Sequence, residues 1–245
     1  MTYTPFFLHG ADRPSRWLIT CDHATNVVPS EVNGGDLGLP AEDMNRHIAY
    51  DPGAYGVAVE LGELLDAPVV ASNFSRLVID PNRGADDPTL VMKLNDGSLI
   101  PANRHVDAAE VERRLNAYYR PYHQQLARFS ARPDTVVVSL HSFTQQFKGR
   151  APRPWHIGVL FAKDERFSRP LIQRLQAEPG LVVGENEPYT GYLPGDAIDT
   201  HATASGLLNA LIELRNDLIQ TSEQQRDWAA RLAPILRDAL EMTGV

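Results

Sequence analysis

Residues 135–142 read Thr-Val-Val-Val-Ser-Leu-His-Ser, and this stretch decides the fold that the sequence predicts. Three consecutive valines and a leucine form an apolar run that is too short for a buried helix and rich in β-branched residues. Such a run indicates a strand buried on both faces. It ends in His141 and Ser142. Because open α/β sheets bind their ligands at the carboxyl ends of the strands, these two residues are candidates for a functional site.

Three further apolar runs end in, or carry, residues of the kinds that bind metals, move protons or hold anions. They are residues 17–21, followed by Asp22-His23; residues 76–79, followed by Asp80-Pro81-Asn82-Arg83; and residues 207–214, which carry Glu213. If the four runs are neighbouring strands that point the same way, their polar ends converge on one cleft.

The composition is that of an ordinary globular protein. The 245 residues are 43% hydrophobic and 22% charged, with a net charge of −8, which argues against a nucleic-acid or anionic-membrane surface. The single Cys21 excludes a disulfide within the chain and suits a reducing compartment. No apolar stretch approaches the ~20 residues of a membrane span, and the first residues lack the features of a signal peptide. We therefore expect a cytoplasmic protein.

The periodicity along the chain predicts alternating strands and helices. Strands are expected at residues 16–22, 68–72, 76–80, 135–142, 156–161, 181–183 and 207–214, and helices at 54–65, 107–130 (capped by Asp107 and split near Pro121), 167–178 and 222–242. Long loops are expected at 24–46, 81–104 and 184–203. The expected fold is α/β: a single domain over residues 1–245, with three αβα layers and a mostly parallel or mixed central sheet of the phosphorylase/hydrolase-like kind.

Two of the eight histidines stand apart from the others. Most lone histidines are surface or structural residues, and this interpretation is given to His9, His105, His123 and His156. His23 and His141 instead lie at strand ends among polar neighbours. Two histidines with an oxygen ligand and an open position form the usual layout of a catalytic zinc site.

A metal-free hydrolase is the competing interpretation. Ser142 is a candidate nucleophile, although it lies in no Gly-x-Ser-x-Gly elbow. Cys21 is another because His23 is close in sequence, although its place before the strand end favours a small buried hydrophobe.

Arg83 and Glu213 each have a structural and a functional interpretation. Asp80-Pro81-Asn82-Arg83 is ordinary turn chemistry, yet Arg83 offers a planar fork that suits a carboxylate or an oxyanion, and Asn82 is placed to bind the same ligand. A carboxylate inside the apolar run around Glu213 is costly to bury unpaired, so it either pairs with a cation or is functional; an exposed strand face is the alternative.

Six sequence blocks occur along the chain in a recognisable order. They are residues 21–29 (CDHATNVVP), 47–54 (HIAYDPGA), 75–83 (SRLVIDPNR), 141–144 (HSFT), 154–160 (PWHIGVL) and 185–189 (ENEPY). Together they resemble the N-formylglutamate amidohydrolase family over about residues 16–220. The resemblance implies a metal-dependent hydrolase of linear amides in amino-acid degradation, which cleaves an N-formyl or other N-acyl amino acid, such as N-formyl-L-glutamate, to formate and the free amino acid.

The layout is also distantly similar to zinc carboxypeptidases and aspartoacylase-type amidohydrolases. This similarity implies that His23 and His141 bind zinc, that Asn82 and Arg83 bind the substrate or the oxyanion, and that Glu213 is the general base. The second ligand position is Asn26, whose neutral amide oxygen is a weak zinc ligand. Asp22 and Asp51 are therefore alternatives for the third contact, and the metal identity is left open.

The resemblance further implies a small anionic N-acyl amino acid as the partner, whereas the net charge argues against nucleic acid and membrane as partners. Arg76, Tyr189 and His201 join Asn82 and Arg83 as expected substrate-binding residues, the loop at 184–203 closing over the ligand. A second cation for a dicarboxylate is expected among Arg46, Arg76, Arg104, Arg150 and Arg153. Two alternative functions are left open: a metal-free hydrolase using Ser142 or Cys21, and a non-catalytic binding protein on the same fold. The sequence also leaves open whether the protein is a homo-oligomer.

Overall fold

The computed structural model describes residues 3–147 and 149–245. Its strands are Phe6–His9 (β1), Trp17–Cys21 (β2), Val69–Ser72 (β3), Leu94–Asn95 (β4), Ser98–Leu99 (β5), Val136–Phe143 (β6), Ile157–Leu160 (β7), Val183–Glu185 (β8) and Leu208–Arg215 (β9). Its α-helices are Ala41–Met44 (α1), Ala54–Leu64 (α2), Ala108–Arg114 (α3), Arg120–Ser130 (α4), Ser168–Gln176 (α5), Ala197–His201 (α6) and Ser222–Met242 (α7).

Seven strands form one mixed sheet in the order β1-β3-β2-β6-β9-β7-β8, and β4 pairs with β5 in a separate hairpin. The four central strands β3, β2, β6 and β9 are parallel, whereas β1 runs antiparallel to β3 and β7 antiparallel to β9. The carboxyl ends of β2, β6 and β9 therefore lie side by side at one edge of the sheet.

The strands present alternate residues to two different cores, because successive side chains in a strand point to opposite faces. We call the first face the apolar face: it includes Val138, Leu140 and Ile212 and packs against α2, α5 and α7. The second, the cleft face, buries Leu18 and Val137 against α4 and the long loops. Helices on both sides of the sheet make three layers, so the expected α/β fold with a mixed central sheet is confirmed.

Most of the predicted elements are present within two or three residues of their expected bounds. The last helix begins at Ser222, where Thr221 forms a capping box with Gln224. Asp107 caps α3 by accepting a hydrogen bond from Glu110 N at 2.9 Å. The split near Pro121 is a π-helical turn at Leu115–Tyr119, because a proline cannot donate to the preceding turn and its ring crowds it.

The strand expected at residues 76–80 is wrong. Leu77 and Ile79 are fully buried, but the backbone forms a turn in which Val78 N donates to Ser75 O at 2.9 Å. The segment packs in the cleft-side core beneath loops, so its apolar character reports burial and not strand pairing. Conversely, the sequence predicts no strand before residue 16, because the half-buried edge strand β1 has only four residues, too few for a visible pattern.

In the part of the chain that the structure describes, no helix is both long enough and apolar enough to cross a bilayer.

Candidate active site

Polar residues gather where the parallel strands end. Asp22 and His23 follow β2 directly, and His141 lies near the end of the adjacent β6. On the next strand, Glu213 is the register partner of His141. Parallel neighbours in a sheet lie ~4.8 Å apart, so the two side chains share one face and one edge. Asp80, at the end of the fourth apolar run, lies 2.7 Å from His23 Nε2, so the polar ends of all four runs converge as the sequence predicts, although the fourth run is not a strand.

His23 and His141 share the carboxylate of Asp51. The Nδ1 atoms of the two rings lie 3.4 and 2.8 Å from Asp51 Oδ2, and the rings meet edge to face with centroids 4.9 Å apart. One ligand atom from each of the three residues lies within 4.8 Å of the other two, and all three residues are buried. This spacing is compatible with a single metal ion held by two imidazoles and one carboxylate.

The opposite nitrogen of each ring is held by a second carboxylate. His23 Nε2 donates to Asp80 Oδ1 at 2.7 Å, and His141 Nε2 donates to Asp22 Oδ2 at 3.1 Å. Asp80 also accepts from Arg76 at 2.8 Å. A carboxylate that holds the outer N–H of a histidine fixes the ring so that its inner nitrogen carries a lone pair toward a metal.

The buried charges also fit a cation. A neutral imidazole has one N–H, yet each ring faces carboxylates at both nitrogens. Burial alone would lower the pKa of His141, but its hydrogen bonds to Asp22 and Asp51 raise it well above the usual value. Burial would raise the pKa of Asp51, and the two histidines lower it instead. The donor set therefore favours extra positive charge between the rings, which a divalent metal supplies.

Asp51 reaches this position because the backbone before α2 is tied to β2. Asp51 N donates to His23 O at 2.8 Å, and Ser142 N donates to Asp51 Oδ2 at 3.2 Å. Gly53 then turns the chain into the helix with φ at 83°. A Cβ at this glycine would lie 2.2 Å from Ile219 O, so both conformation and space require glycine.

Glu213 is a buried carboxylate with an unsatisfied oxygen. Its side chain is 6% exposed and lines the cleft, and among the described residues no group hydrogen-bonds its Oε2 atom. Burial raises the pKa of Glu213 to about 8, against the opposing effect of His141. A buried carboxyl group with a raised pKa and a free oxygen beside a candidate metal site has the properties of a proton acceptor.

The cleft has a volume of about 410 Å³ and is open to substrate beside these groups. Asn82, Arg83, Arg76 and Tyr189, four of the expected substrate-binding residues, line it. Arg83 makes no ion pair with any described carboxylate, whereas Arg76 is bound to Asp80. The structure therefore brings these four residues together, with Arg83 as a cation available to a ligand.

The cleft also has an aromatic wall that joins two loops. Arg153 packs over the rings of Phe147 and Tyr189, at 4.1 and 5.0 Å from their centroids, and donates to Tyr189 Oη at 3.2 Å. It also donates to Thr144 O at 3.0 Å. Arg153 therefore links the loop at 144–154 to the loop at 184–203, and it holds Tyr189 over the site.

Two expected site residues lie elsewhere. Asn26 is not among the described residues that line the cleft; its amide donates to Met44 O at 2.8 Å and to Asn45 Oδ1 at 3.2 Å. His201 is also outside the lining, and its Nε2 atom lies 2.8 Å from His123 Nδ1. The geometry favours Asp51 over Asn26 as the third ligand. His201 lies outside the cleft because Asp196, at the N-terminal end of α6, lines it, and His201 is at the other end of the helix.

Neither nucleophile of the metal-free alternative is well placed. Ser142 Oγ donates to Pro52 O at 2.9 Å and has no histidine as its hydrogen-bond partner. Cys21 is fully buried on the apolar face, and burial raises the pKa of its thiol well above the usual value. A thiol in that state is unreactive.

The sequence left the paired carboxylates largely without a role. The sequence offers Asp51 as one of three candidates for the third ligand, and it offers Asp80 only as part of a turn. The available signal was the motif Asp51-Pro52-Gly53 directly before an amphipathic helix, together with Asp22 beside His23. Each is also ordinary turn or cap chemistry, so the signal is weak by itself.

The chain is similar to one family of known proteins. The family model for N-formylglutamate amidohydrolases matches residues 15–220. No curated protein matches the chain. A solved gene product of Agrobacterium tumefaciens is 33% identical with a TM-score of 0.93, over 100% of this chain and 98% of that one. A solved N-formylglutamate amidohydrolase from Ralstonia eutropha is 21% identical with a TM-score of 0.66, over 99% and 98% of the two chains, a similarity that shows the fold alone.

Proposed function

Because the chain belongs to the N-formylglutamate amidohydrolase family and is a hydrolase that acts on amides, we propose that it uses a divalent metal, zinc in the first instance, to cleave N-acyl amino acids. The proposed substrate is a small anionic N-formyl amino acid such as N-formyl-L-glutamate, and the products are formate and the free amino acid. The proposed unit is one amidohydrolase domain spanning residues 1–245. Nucleic acid and membrane are not proposed partners, and both a cytoplasmic location and a homo-oligomer remain predictions.

The observation that carries the proposal is the shared carboxylate of Asp51. Two histidine Nδ1 atoms approach one of its oxygens while both Nε2 atoms are held by other carboxylates. We assign His23, Asp51 and His141 as the residues that hold the metal. A divalent ion in this place supplies a Lewis acid, which activates water and polarises the amide carbonyl.

Glu213 is the proposed general base. Its carboxylate accepts a proton from the attacking water and passes it to the amine that leaves. Its unsatisfied Oε2 atom supports this role, since no described side chain competes for it. Burial raises the pKa of Glu213 to about 8, and positive charge between the neighbouring histidines opposes that rise, so the base is ionised near neutral pH when the site is loaded.

Arg83 and Asn82 are proposed to bind the substrate on the other side of the reacting carbonyl. Arg83 donates hydrogen bonds to the oxyanion, an interaction whose loss typically costs ~3–4 kcal/mol of barrier. Tyr189 accepts from Arg153, which leaves its own phenolic proton free to be donated to the substrate. Burial of the phenol and, to a smaller extent, the negative charge of Glu213 raise the pKa of Tyr189, so the phenol is neutral and able to donate. Arg76 is proposed to act through Asp80 and Asp51 and not by direct contact.

Arg153 is the favoured second cation for a dicarboxylate. Arg46 is already paired with Asp43 and Asp96, and Arg104 and Arg150 are exposed. Arg153 packs against Phe143, Phe147 and Tyr189, which all line the cleft, and it pairs with no described carboxylate. An arginine held flat by aromatic rings keeps its fork available for a carboxylate.

Metal removal tests the proposal. We expect the purified protein to hydrolyse N-formyl-L-glutamate, to lose activity on exhaustive chelation and to regain it with zinc. N-formyl-L-glutamine is the matched control substrate, expected to react ~10–100-fold more slowly because its side chain carries no carboxylate. The rates of hydrolysis of N-acetyl and N-succinyl glutamate, compared with that of the N-formyl substrate, measure which acyl group the protein prefers.

Full activity after complete metal removal would exclude the metal-dependent mechanism. Metal-loaded protein that hydrolyses none of these amides would exclude the proposed substrate class.

A further inference from the structure

The backbone of Pro81-Asn82-Arg83 is held from behind by two stacked rings. Tyr119 and His123 lie four residues apart on the helical segment that includes α4, and their rings stack at 3.9 Å with an interplanar angle of 17°. Tyr119 Oη donates to Arg83 O at 2.9 Å, and His123 Nε2 donates to Pro81 O at 2.9 Å. The stacked pair therefore donates hydrogen bonds to the backbone carbonyls of the two residues that flank Asn82.

His201 completes this arrangement and determines the state of His123. A carbonyl only accepts, so His123 Nε2 carries the proton and its Nδ1 atom is an acceptor. His201 Nε2, 2.8 Å away, must then donate to His123 Nδ1. Burial lowers the pKa of both rings, that of His201 to about 4, so both are neutral at physiological pH, as the directed chain requires.

The same helix that carries His201 also binds Asn82. The backbone N of Ala197 donates to Asn82 Oδ1 at 3.2 Å, and Asp196 caps the helix by accepting from Asp199 N at 2.7 Å. The loop that carries Arg83 is therefore fixed by α4 on one side and by α6 on the other. Tyr119, His123 and His201 themselves do not line the cleft.

We propose that Tyr119, His123 and His201 are positioning residues that hold Arg83 in its catalytic place, and that His201 serves the reaction through His123 and not by binding substrate. The inference rests on the proposed function in one respect, namely that Arg83 contacts the substrate. A displacement of about 1 Å in such a group can cost ~10²-fold in rate, so removing these hydrogen bonds to the backbone should lower kcat/KM measurably.

The first experiment compares His123→Phe with His123→Gln. Phenylalanine keeps the stacked shape and removes both hydrogen bonds, whereas the glutamine carboxamide can donate to Pro81 O. We expect His123→Phe to lower kcat/KM on N-formyl-L-glutamate ~10–100-fold with unchanged metal content, and His123→Gln to stay within about 3-fold of the wild type. Tyr119→Phe removes one bond only and is expected to lose ~3–10-fold. The exposed His105→Phe is the control and should match the wild type.

The second experiment repeats His123→Phe in an Arg83→Ala background. If His123 acts through Arg83, the two effects are not additive, and His123→Phe should change the rate of the double variant by less than about 2-fold. A merely structural role would give the full effect in both backgrounds and would overturn the inference. An Arg83→Ala variant with wild-type kcat/KM would instead contradict the proposed role of Arg83 itself.

A crystal structure of His123→Phe tests the same inference without activity. We expect the Arg83 guanidinium to move by about 1 Å or more relative to the wild type while the His23–Asp51–His141 group stays in place. Arg83 in its original position would overturn the inference, whatever the substrate of the protein proves to be.

Discussion

The two faces of the central sheet are made by the same strands but serve different purposes. On the apolar face, Leu140 of β6 and Ile212 of β9 are fully buried in a core shared with α2, α5 and α7. On the cleft face, the neighbouring residues His141 and Glu213 are also buried, at 2% and 6% exposure, yet they are polar. A shift of one residue along a strand therefore separates packing from chemistry.

The difference shows how one sheet carries both an apolar core that stabilises the fold and a set of buried charges that are costly to bury. An apolar face gains free energy in proportion to the area it buries, whereas buried carboxylates and imidazoles cost free energy unless they are paired. The cleft face holds Asp22, Asp51 and Asp80 against two histidines and one arginine. The apolar face therefore supplies stability, and the proposed metal ion would offset the negative charge that the cleft face buries.

The largest expected effect is that of His141→Ala on the cleft face. This change removes a proposed metal ligand and the partner of Asp22 and Asp51, so metal binding and activity should be lost together, the rate falling at least ~10³-fold. Chelator competition and N-formyl-L-glutamate hydrolysis measure the two losses. Retention of stoichiometric metal with normal affinity would show that His141 is not a ligand.

Glu213→Gln should separate the base from the ligands. Glutamine keeps the shape but cannot accept the water proton, and general base catalysis is typically worth ~10²–10⁴-fold, so kcat should fall by about that factor. Metal content should stay near the wild-type value, and thermal stability should hold or rise because a buried carboxylate is removed. If more than about half of the rate remains, Glu213 is structural, and Glu185 or Glu187 on the neighbouring loop becomes the better candidate.

Leu140→Ala tests the apolar face one residue away from His141. Truncating a fully buried leucine typically costs about 2–5 kcal/mol, so the free energy of unfolding should drop by that amount in a denaturant titration. The folded fraction should keep its metal and a kcat within about 3-fold of the wild type, since Leu140 points away from the cleft. A loss of kcat as large as that of Glu213→Gln would contradict the division between the faces.

Asp196→Asn should have the smallest effect, visible as a pH dependence. Burial raises the pKa of Asp196 to about 7, above the ordinary 3.8, so the folded state binds the proton more tightly. Its contribution to stability is therefore greatest below about pH 4 and declines as the pH rises toward 7. Asparagine also caps helices well and does not ionise.

With metal removed by a chelator, the free energy of unfolding of Asp196→Asn should exceed that of the wild type by roughly 1–2 kcal/mol at pH 7.5 and by less at pH 4.5. Thermal unfolding at the two pH values measures the difference. An equal difference at both pH values would show that this carboxyl titrates normally.

Local patterns predicted most of the sheet but not all of it. The β-branched run at 136–138 and the apolar run at 207–214 each predict a buried strand, and both are strands in the structure. Residues 76–80 have a similar apolar character and are a buried turn, because apolar residues report burial and leave the hydrogen-bond partner open. His201 shows the same limit, since no local pattern reveals that it faces His123 from 78 positions away.

The sequence by itself determined which residues are buried and which polar groups stand at strand ends, because side-chain alternation and apolar runs are local properties of the chain. Only the tertiary structure decided that Asp51 lies between two histidines 28 positions before it and 90 positions after it. That meeting depends on the order of β2, β6 and β9 in the sheet and on the turn at Gly53, which brings a loop carboxylate to the strand ends. Contacts of this kind are set by the path of the whole chain, and their electrostatics follow from a burial that no single segment provides.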